Sequence, residues 1–587
     1  MFNTKGISHV TIDADFCVVG GGLAGLCAAI AAARGGSRVV LMQERPVLGG
    51  NASSEIRMWV CGAKGENNRA TGIIEELELE NYYRNPEKNY YLWDSVLFEK
   101  AKAEKNLTLL LNCSCLAADT QNGKIRSVTG WQMTTQSKIT VTASYFADCS
   151  GDSVLAPLTG ADFRFGRESA DEFHEKIGVT AEDTKTMGMS CLIQGRLTDK
   201  KHAFIPPEGI IRMTPEMIRL RKPHIYMTSE NFWYLELGGN RDTIHETEDI
   251  AKDLHSLAVG MWDYVKNSKK FDTDNWELDF LGFLPGKRES RRMTGEYIIT
   301  QPDISGGKIF EDTVAYGGWP LDEHAPDGFE DGTKITQTRT PSPYCIPYRS
   351  LYSKNVTNLF FAGRNISATH LAMSSTRVMA TCALMGQAVG TAAAIAVKNE
   401  LAPNGVYKEK LSELQETLMR DDCFLPNFKR SVSGLCQSTP IYGGNALKDG
   451  CDRPHRLYGS EKCGVTVKTG TALEYKFDKE QHIGSVHITF DSDLDRETLP
   501  GGHCERTHTM RCNTLIGSPQ FYVPKTLCKK FKLEIITENG VETITDENEN
   551  LKRAYDVPID KNVLGIRLIP ESTWGGGEDV NVFSFDF

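Results

Sequence analysis

Asp15–Phe16–Cys17–Val18–Val19–Gly20–Gly21–Gly22–Leu23–Ala24–Gly25 decides how the N-terminal part of this chain folds. Asp15–Val19 is a short apolar strand, and Gly20–Gly25 is a glycine turn. Leu26–Ala33 is an alanine-rich helix that Arg34–Gly35–Gly36 ends, and Arg38–Met42 is a second strand. In Gly20-x-Gly22-x-x-Gly25 the first glycine permits the tight turn. The second admits a pyrophosphate to the backbone, and the third lets helix pack on strand. The helix start supplies unpaired N–H groups and a positive dipole end. Glu44 follows Gly25 by 19 residues, at the end of the second strand, where a carboxylate accepts ribose hydroxyls. Strand, turn, helix, strand and acid in this order predict a dinucleotide site. The turn alone does not separate NAD from FAD.

The next residues bear on that choice. Glu44–Arg45–Pro46–Val47–Leu48–Gly49–Gly50 resembles the glutathione-reductase-type flavoprotein superfamily, in which an acid followed by such a Gly-Gly pair is common. The resemblance implies bound FAD, with Gly49 and Gly50 passing near the diphosphate or flavin and Arg45 and Asn51 beside them. Ala147–Asp148–Cys149–Ser150–Gly151–Asp152 resembles the superfamily's returning turn, with Cys149 and Ser150 in place of the usual Ala-Thr. This places Gly151 and Asp152 at the cofactor. Asn358–Leu359–Phe360–Phe361–Ala362–Gly363–Arg364–Asn365 is similar to the C-terminal FAD segment and implicates Gly363, Arg364 and Asn365, the last standing where an acid is usual. The helix holding Gly386–Gln387–Ala388–Val389–Gly390 is expected to start near the flavin pyrimidine ring. No second framed GxGxxG exists, so electrons are expected from the substrate or a visiting donor rather than from a resident NAD(P)H domain.

Further blocks extend the resemblance. They are Asn51–Met58, Phe232–Gly239, Arg288–Gly295, Gly317–His324, Ile346–Leu351 and Ser367–Met379. Residues 12 to about 420 are similar in combination to a bacterial FAD-dependent oxidoreductase family. The fold class expected is α/β. A discontinuous Rossmann-like FAD-binding domain (11–160 and 341–425) carries an inserted α+β substrate domain (161–340), and an all-β sandwich (436–587) follows. Residues 107–147 read as a meander: Leu107–Leu111, Ile125–Trp131 and Ile139–Phe146, with Asn122–Gly123 as a turn. Helices are expected at Ile250–Lys266, Met379–Lys398 and 407–420, and a linker at Pro426–Gly434. After residue 435 short alternating strands take over: Leu473–Phe477, Ser485–Phe490, Phe531–Ile536 and Gly565–Ile569. Ile488–Leu494, Gly565–Ile569 and Val582–Phe585 resemble a discoidin-type, galactose-binding-like module, which implies a glycan partner or a structural role.

Composition narrows the classes. A formal charge of −11 argues against nucleic acid as a partner. The longest apolar run noted, Leu23–Ala33, is short of the ~20 residues of a membrane span. No leader opens the chain, so a cytoplasmic location is expected. Sixteen scattered cysteines without a CxxC pair point to reduced thiols, with Cys113 and Cys115 as packing residues on one strand face. No metal site has ligand spacing, and Gly-x-Ser-x-Gly is absent.

The chemistry needs a base for the departing proton while flavin takes a hydride. His370, five residues past Asn365, and His324, in the Gly-Trp-Pro-Leu-Asp-x-His block, are the candidates. Among motif arginines (Arg57, Arg291, Arg292, Arg349, Arg377), one or two are expected on a ligand carboxylate or phosphate, Arg291 and Arg349 foremost. The others would fix loops, with Glu289 and Asp322 as partners. Tyr344 and Tyr348 are expected to pack, Trp233 and Trp319 to stack on a sugar, close the pocket or be buried in the core, and Cys61 to be a buried thiol. The expected function is hydride transfer between a polar small molecule (a sugar, polyol or sugar acid) and FAD. The competing readings are a flavin-dependent C=C reductase, a glycan-binding protein with a vestigial flavin fold, and an electron carrier working with another subunit.

Overall fold

The computed structural model describes residues 6–223, 232–329, 336–455, 463–496, 509–510 and 520–587. Its N-terminal element is strand β1 (Ser8–Val19), exposed at its start and buried on both faces from Phe16 onward. Helix α1 (Leu23–Arg34) follows the glycine turn, then strand β2 (Val39–Met42), helices α2 (Ile73–Arg84) and α3 (Tyr90–Ala103), and strand β3 (Leu107–Leu110). Strands β4 (Cys113–Gln121), β5 (Lys124–Gln132) and β6 (Ser137–Asp148) complete this part. β3 pairs parallel with β2, so Leu107–Leu110 belongs to the central sheet and not to the expected meander. The antiparallel ribbon is β4–β5–β6.

β6 joins the two parts of the domain. One edge pairs parallel with β1 from Ser137 to Asp148. The other edge takes β5 along Ser137–Thr142 and strand β7 (Leu359–Phe361) along Phe146–Asp148. The parallel core therefore runs β3-β2-β1-β6-β7, although about 210 residues separate its last two strands. Such near-continuous apolar strands are buried on both faces.

Between them, short strand pairs (Met189–Ser190 with Glu236–Leu237, Ile193–Leu197 with Trp276–Leu281) pack with helix α4 (Thr247–Asn267) around Trp262, Trp276 and Leu254. After β7 come helices α5 (Met379–Asn399) and α6 (Pro403–Arg420). α5 explains why α1 is made of small residues. A Cβ on Gly386 would lie 2.0 Å from the Ala24 carbonyl oxygen, and one on Gly390 would lie 2.1 Å from that of Ala28. Glycine one helical turn apart thus lets the two helices touch backbone to backbone. α5 also corrects the apolar-run reading: by length and composition it could cross a membrane, its most apolar 18 residues having a mean hydropathy of 1.6, but 94% of that stretch is buried inside the protein. It is a core helix.

The C-terminal part is one antiparallel sheet of six strands: β8 (Val465–Lys468), β9 (Leu473–Phe490), β10 (Cys528–Thr537), β11 (Gly540–Glu547), β12 (Ala554–Thr573) and β13 (Asp579–Asp586). Their order is β8-β13-β9-β12-β10-β11. The expected two-sheet sandwich is replaced, among the described residues, by this single hydrogen-bonded sheet. One pair of expected short strands falls within a single long strand: β9 holds Leu473–Phe477 and Ser485–Phe490 and breaks register opposite β12 after Lys476 and Ile483. Such irregularities bend a strand and raise its twist.

This sheet is locked to the flavoprotein part by buried charge. Arg496 lies 2.8 Å from Glu75 and 3.3 Å from Glu78 on α2, all three wholly inside. Arg453 donates to the carbonyls of Asn67 and Arg69 (both 3.0 Å) and to Thr71 (2.6 Å). Met510 accepts from the Val60 N–H at 3.1 Å. The fourteen described cysteines form no disulfide.

Candidate active site

The carboxyl ends of β1, β2 and β6 open onto a cavity of about 380 Å3, within the range of small-molecule sites. β1 has neighbours on both edges whose chains leave in opposite directions, which is where open α/β sheets bind ligands. Gly20, Gly22, Glu44, Arg45, Gly49, Gly50, Asn51, Gly151, Gly363 and Arg364 all line it. Three of the expected cofactor residues do not. Gly25 lies behind the turn, where a Cβ would be 1.8 Å from the Gly20 carbonyl oxygen, so its part is helix–strand packing. Asp152 holds Lys287 (2.7 Å) and Arg364 (2.6 Å). Asn365 is buried and donates to Asp148 at 3.1 Å, which takes it out of the wall.

The wall fits a dinucleotide. Gly20 has φ +104°, and a Cβ there would collide with the Cys149 carbonyl. A Cβ on Gly22 would meet only the Gly50 Cα, at 3.9 Å, so the absence of a side chain opens space on the cavity side. α1 begins at Gly22 with no side-chain cap and no acid in its first turn, which leaves its N–H groups to an anion. Arg45 and Arg364 each bury an Nε that makes no hydrogen bond. Buried donors of this kind are costly unless a ligand meets them. Gln43, which no motif pointed to, fixes the turn: its Oε1 accepts from Gly21 N–H at 2.7 Å and its Nε2 donates to Val47 at 3.0 Å.

Trp59, Cys61, Lys64, Trp233, Arg288, Trp319, Asp322, His324, Gln337 and Arg377 line the rest of the cavity, together with Cys113–Cys115 and Val378–Met379. His324 is 2% exposed. Its Nδ1 lies 2.8 and 3.0 Å from the Glu236 carboxylate, and its Nε2 lies 3.2 Å from Asp322. Burial alone would raise Glu236, but Arg288 (2.9 Å) and His324 outweigh it and hold the carboxyl near 2. Burial opposes ionisation of Asp322 as well, and His324 and Arg377 hold it well below the usual carboxylate range. Gln337 donates to the other Asp322 oxygen at 2.9 Å. The Trp233 ring meets His324 edge-on at 5.9 Å.

Leu321–Glu323 is a strand, so alternate side chains point opposite ways. Asp322 faces the cavity, and Glu323 reaches back to 3.5 Å from His370 Nε2. His370 is therefore not in the wall. It is 3% exposed and bonded through Nδ1 to Glu289 (2.9 Å), within a buried cluster of Glu168 and Arg292 (2.7 Å apart) and Glu289. Burial would lower His370, but Glu289 and Glu323 outweigh it and hold the imidazole up at about 9. The structure thus places His370 in an ion cluster outside the cavity wall and His324 in the wall.

The foremost arginines move too. Arg349 pairs with the buried Asp312 (2.9 and 3.0 Å) and lies over Tyr407, outside the cavity. Arg291 lies over the Phe163 ring at 5.5 Å and is also outside the wall. Arg57 is spent on Asp279, Gln194 and the Phe280 ring. Arg377 is the motif arginine in the wall. Tyr344 bonds Ser375 (2.6 Å) and Tyr348 bonds the Pro403 carbonyl (3.0 Å), both buried as packing residues. Cys61 is half-buried and lines the cavity. Glu236 and Lys64 carried no local signal: one lies inside a quoted block without a marked role, the other outside every block.

The family described as FAD dependent oxidoreductase matches residues 15–418, and the chain belongs to it. It is an FAD-dependent oxidoreductase. Comparison with curated proteins finds no match. Among solved structures, the chain is similar to the OxyS anhydrotetracycline hydroxylase of Streptomyces rimosus, at 12% identity over 70% of this chain and 66% of that one, with a TM-score of 0.33. It is similar to the quinol fumarate reductase FrdA of E. coli at 13% identity over 70% and 75%, TM-score 0.28. A geranylgeranyl bacteriochlorophyll reductase-like protein of Thermoplasma acidophilum gives 12% identity over 70% and 86%, TM-score 0.30. These likenesses are too distant to bear on the reaction.

Proposed function

We propose that this FAD-dependent oxidoreductase oxidises a hydroxyl group of a polar small molecule (a sugar, polyol or sugar acid) and that His324 accepts the hydroxyl proton. One observation carries the reading: His324 stands in the cavity wall with its two ring nitrogens toward two different carboxylates. Glu236 is the closer and wholly buried partner, so it holds Nδ1–H and fixes the tautomer. That leaves Nε2 toward Asp322 and the cavity. A substrate hydroxyl replacing the 3.2 Å Asp322 contact donates to Nε2, and the imidazolium that forms is stabilised by the carboxylates on either side. Bound FAD supplies the two-electron acceptor for the hydride that leaves the same carbon, whose C–O bond becomes C=O. Trp233 and Trp319 line the cavity and would pack against the C–H side of a hydroxylated ring, and Gln337 and Asp322 would offer hydrogen bonds to its hydroxyls.

The test is anaerobic mixing of the yellow protein with a panel of sugars, polyols and sugar acids while the visible flavin band is followed. Bleaching by a panel member is expected. His324→Asn should slow it by about 100-fold or more, and Glu236→Gln should slow it with FAD still bound. Undiminished bleaching in His324→Asn would remove the base assignment. If no panel member bleaches the flavin, while an NAD(P)H-reduced enzyme is reoxidised by an activated alkene, the C=C reductase reading replaces this one.

A further inference from the structure

The protein is acidic, with a formal charge of −11, yet its cavity wall is cationic. Six lysines and arginines line it, against the carboxylates of Glu44 and Asp322. Most are accounted for. Arg364 and Lys287 share Asp152, and Arg45 stands 3.3 Å from Glu55, all toward the glycine turn. Arg288 is fully spent on Glu236 and on the carbonyls of Gly188 and Trp233.

Arg377 and Lys64 are not. Arg377 Nη2 donates to the Asp322 carbonyl at 3.2 Å and lies 3.6 Å from its carboxylate. Its Nε is buried without a hydrogen bond. Lys64 stands at the cavity mouth with its Nζ 4.3 Å from the Trp319 ring centre, and no carboxylate among the described residues lies within ion-pair distance of it. The fold brings the two cations to one end of the cavity. Ala380 N–H donates to Cys61 at 2.9 Å, Lys64 N–H donates to Gly318 at 3.4 Å, and a Cβ on Gly62 would press on Ala380 at 2.9 Å. The 61–64 segment is thus clamped between Gly318–Trp319 and the start of α5, two residues beyond Arg377.

A guanidinium donor buried without an acceptor is unfavourable until an anion arrives. We infer that Arg377, with Lys64 at the mouth, is the binding site for a carboxylate carried by the substrate. The substrate is then a hydroxy acid of the sugar-acid kind and not a neutral sugar or polyol. Arg288 and Glu236 cancel, and Arg377 and Lys64 against Asp322 leave one net positive charge among the permanently charged groups at this end, which a carboxylate monoanion neutralises. Arg377 contributes the planar fork suited to a carboxylate, and Lys64 a point charge at the entrance. The inference rests on the oxidation proposed above for the site.

The test is calorimetric titration of the FAD-loaded protein with four probes: D-galacturonate, its methyl ester, D-galactose and galactose 6-phosphate. Galacturonate should bind at least about 10-fold more tightly than the ester or the neutral sugar. Arg377→Gln should abolish that preference while the visible flavin band persists. Lys64→Gln, at an exposed position that does not threaten the fold, should weaken the acid by roughly 2- to 5-fold and flatten its salt dependence. Equal binding of acid and ester, no binding of the acid up to about 10 mM (a ~3 kcal/mol interaction), tighter binding of the phosphate, or an unchanged acid affinity in both variants would each overturn the inference. The two readings fail separately. Acid binding without bleaching sinks the oxidation and keeps the carboxylate site. Bleaching by ester and acid alike keeps the oxidation and sinks the carboxylate site.

Discussion

His370 is predicted to remain an imidazolium to about pH 9, and the fold should weaken when that proton is lost. The group is wholly buried beside Glu289, with Glu323 behind it. Its ordinary value of 6.5 is moved to about 9 because those carboxylates outweigh the cost of burial. A raised value means that the folded protein holds the proton more tightly than the unfolded chain. The stabilisation is therefore fully present below pH 6.5, declines as pH rises, and is gone above about 9. At ~1.4 kcal/mol per pH unit over that interval, the total is on the order of 3 kcal/mol. Urea unfolding of the wild type and of His370→Asn, followed by tryptophan fluorescence at about pH 6 and about pH 9.5, measures it. The gap between the two proteins should close by roughly that amount from the lower pH to the higher. Histidine labelled with 13C at Cε1 gives an independent reading, the resonance missing from the variant being the one to follow. A gap that does not change with pH, or a His370 resonance that titrates at or below 6.5, would refute the reasoning.

Two other expectations follow from packing. Gly22→Ala should leave the far-ultraviolet circular dichroism of the apoprotein intact, because a Cβ there meets only Gly50, yet weaken FAD binding by at least about 10-fold through crowding on the cavity side; unchanged FAD affinity by fluorescence titration would contradict the proposed approach of the cofactor. Arg496→Met should cost about 3–5 kcal/mol, since it strands the buried carboxylates of Glu75 and Glu78; a loss below about 1 kcal/mol in chemical denaturation would mean that water reaches them.

The glycine turn was legible because its chemistry is local. Gly25 answers the Gly20 carbonyl five residues before it, and the fixed spacing of Gly20, Gly22 and Gly25 marks the turn even though the atoms that press on Gly20 belong to Cys149 and Ser150. Glu44, Gly49 and Gly50 were legible for the same reason. The two histidines show where that logic ends. His370 follows the β7 strand closely in sequence, but Thr369, whose N–H bonds the Ile299 carbonyl, caps a helix (His370–Thr376) whose first residue faces Glu289. Nearness along the chain gave no direction. His324 was legible only as part of a block, and its decisive partner Glu236 comes from 88 residues away. Arg496 and Arg453 left no local trace at all, because they answer carboxylates and carbonyls about four hundred residues earlier. The single C-terminal sheet was hidden because alternation marks strands without saying that two short stretches share one long bent strand.

The close seat of α1 on α5 also sets a timetable for synthesis. The ribosome makes α1 some 350 residues before α5 appears, and Met510, which closes on Val60, comes later still. At 5–20 residues per second, the ~365 residues between Arg34 and Asn399 take about 18–73 s to translate. Throughout that time the face of α1 that α5 covers lacks its partner, and contacts so distant in sequence form slowly. The nascent chain is thus half-assembled until Gly363, Arg364 and α5 have emerged, and the wall that receives the flavin is completed only then.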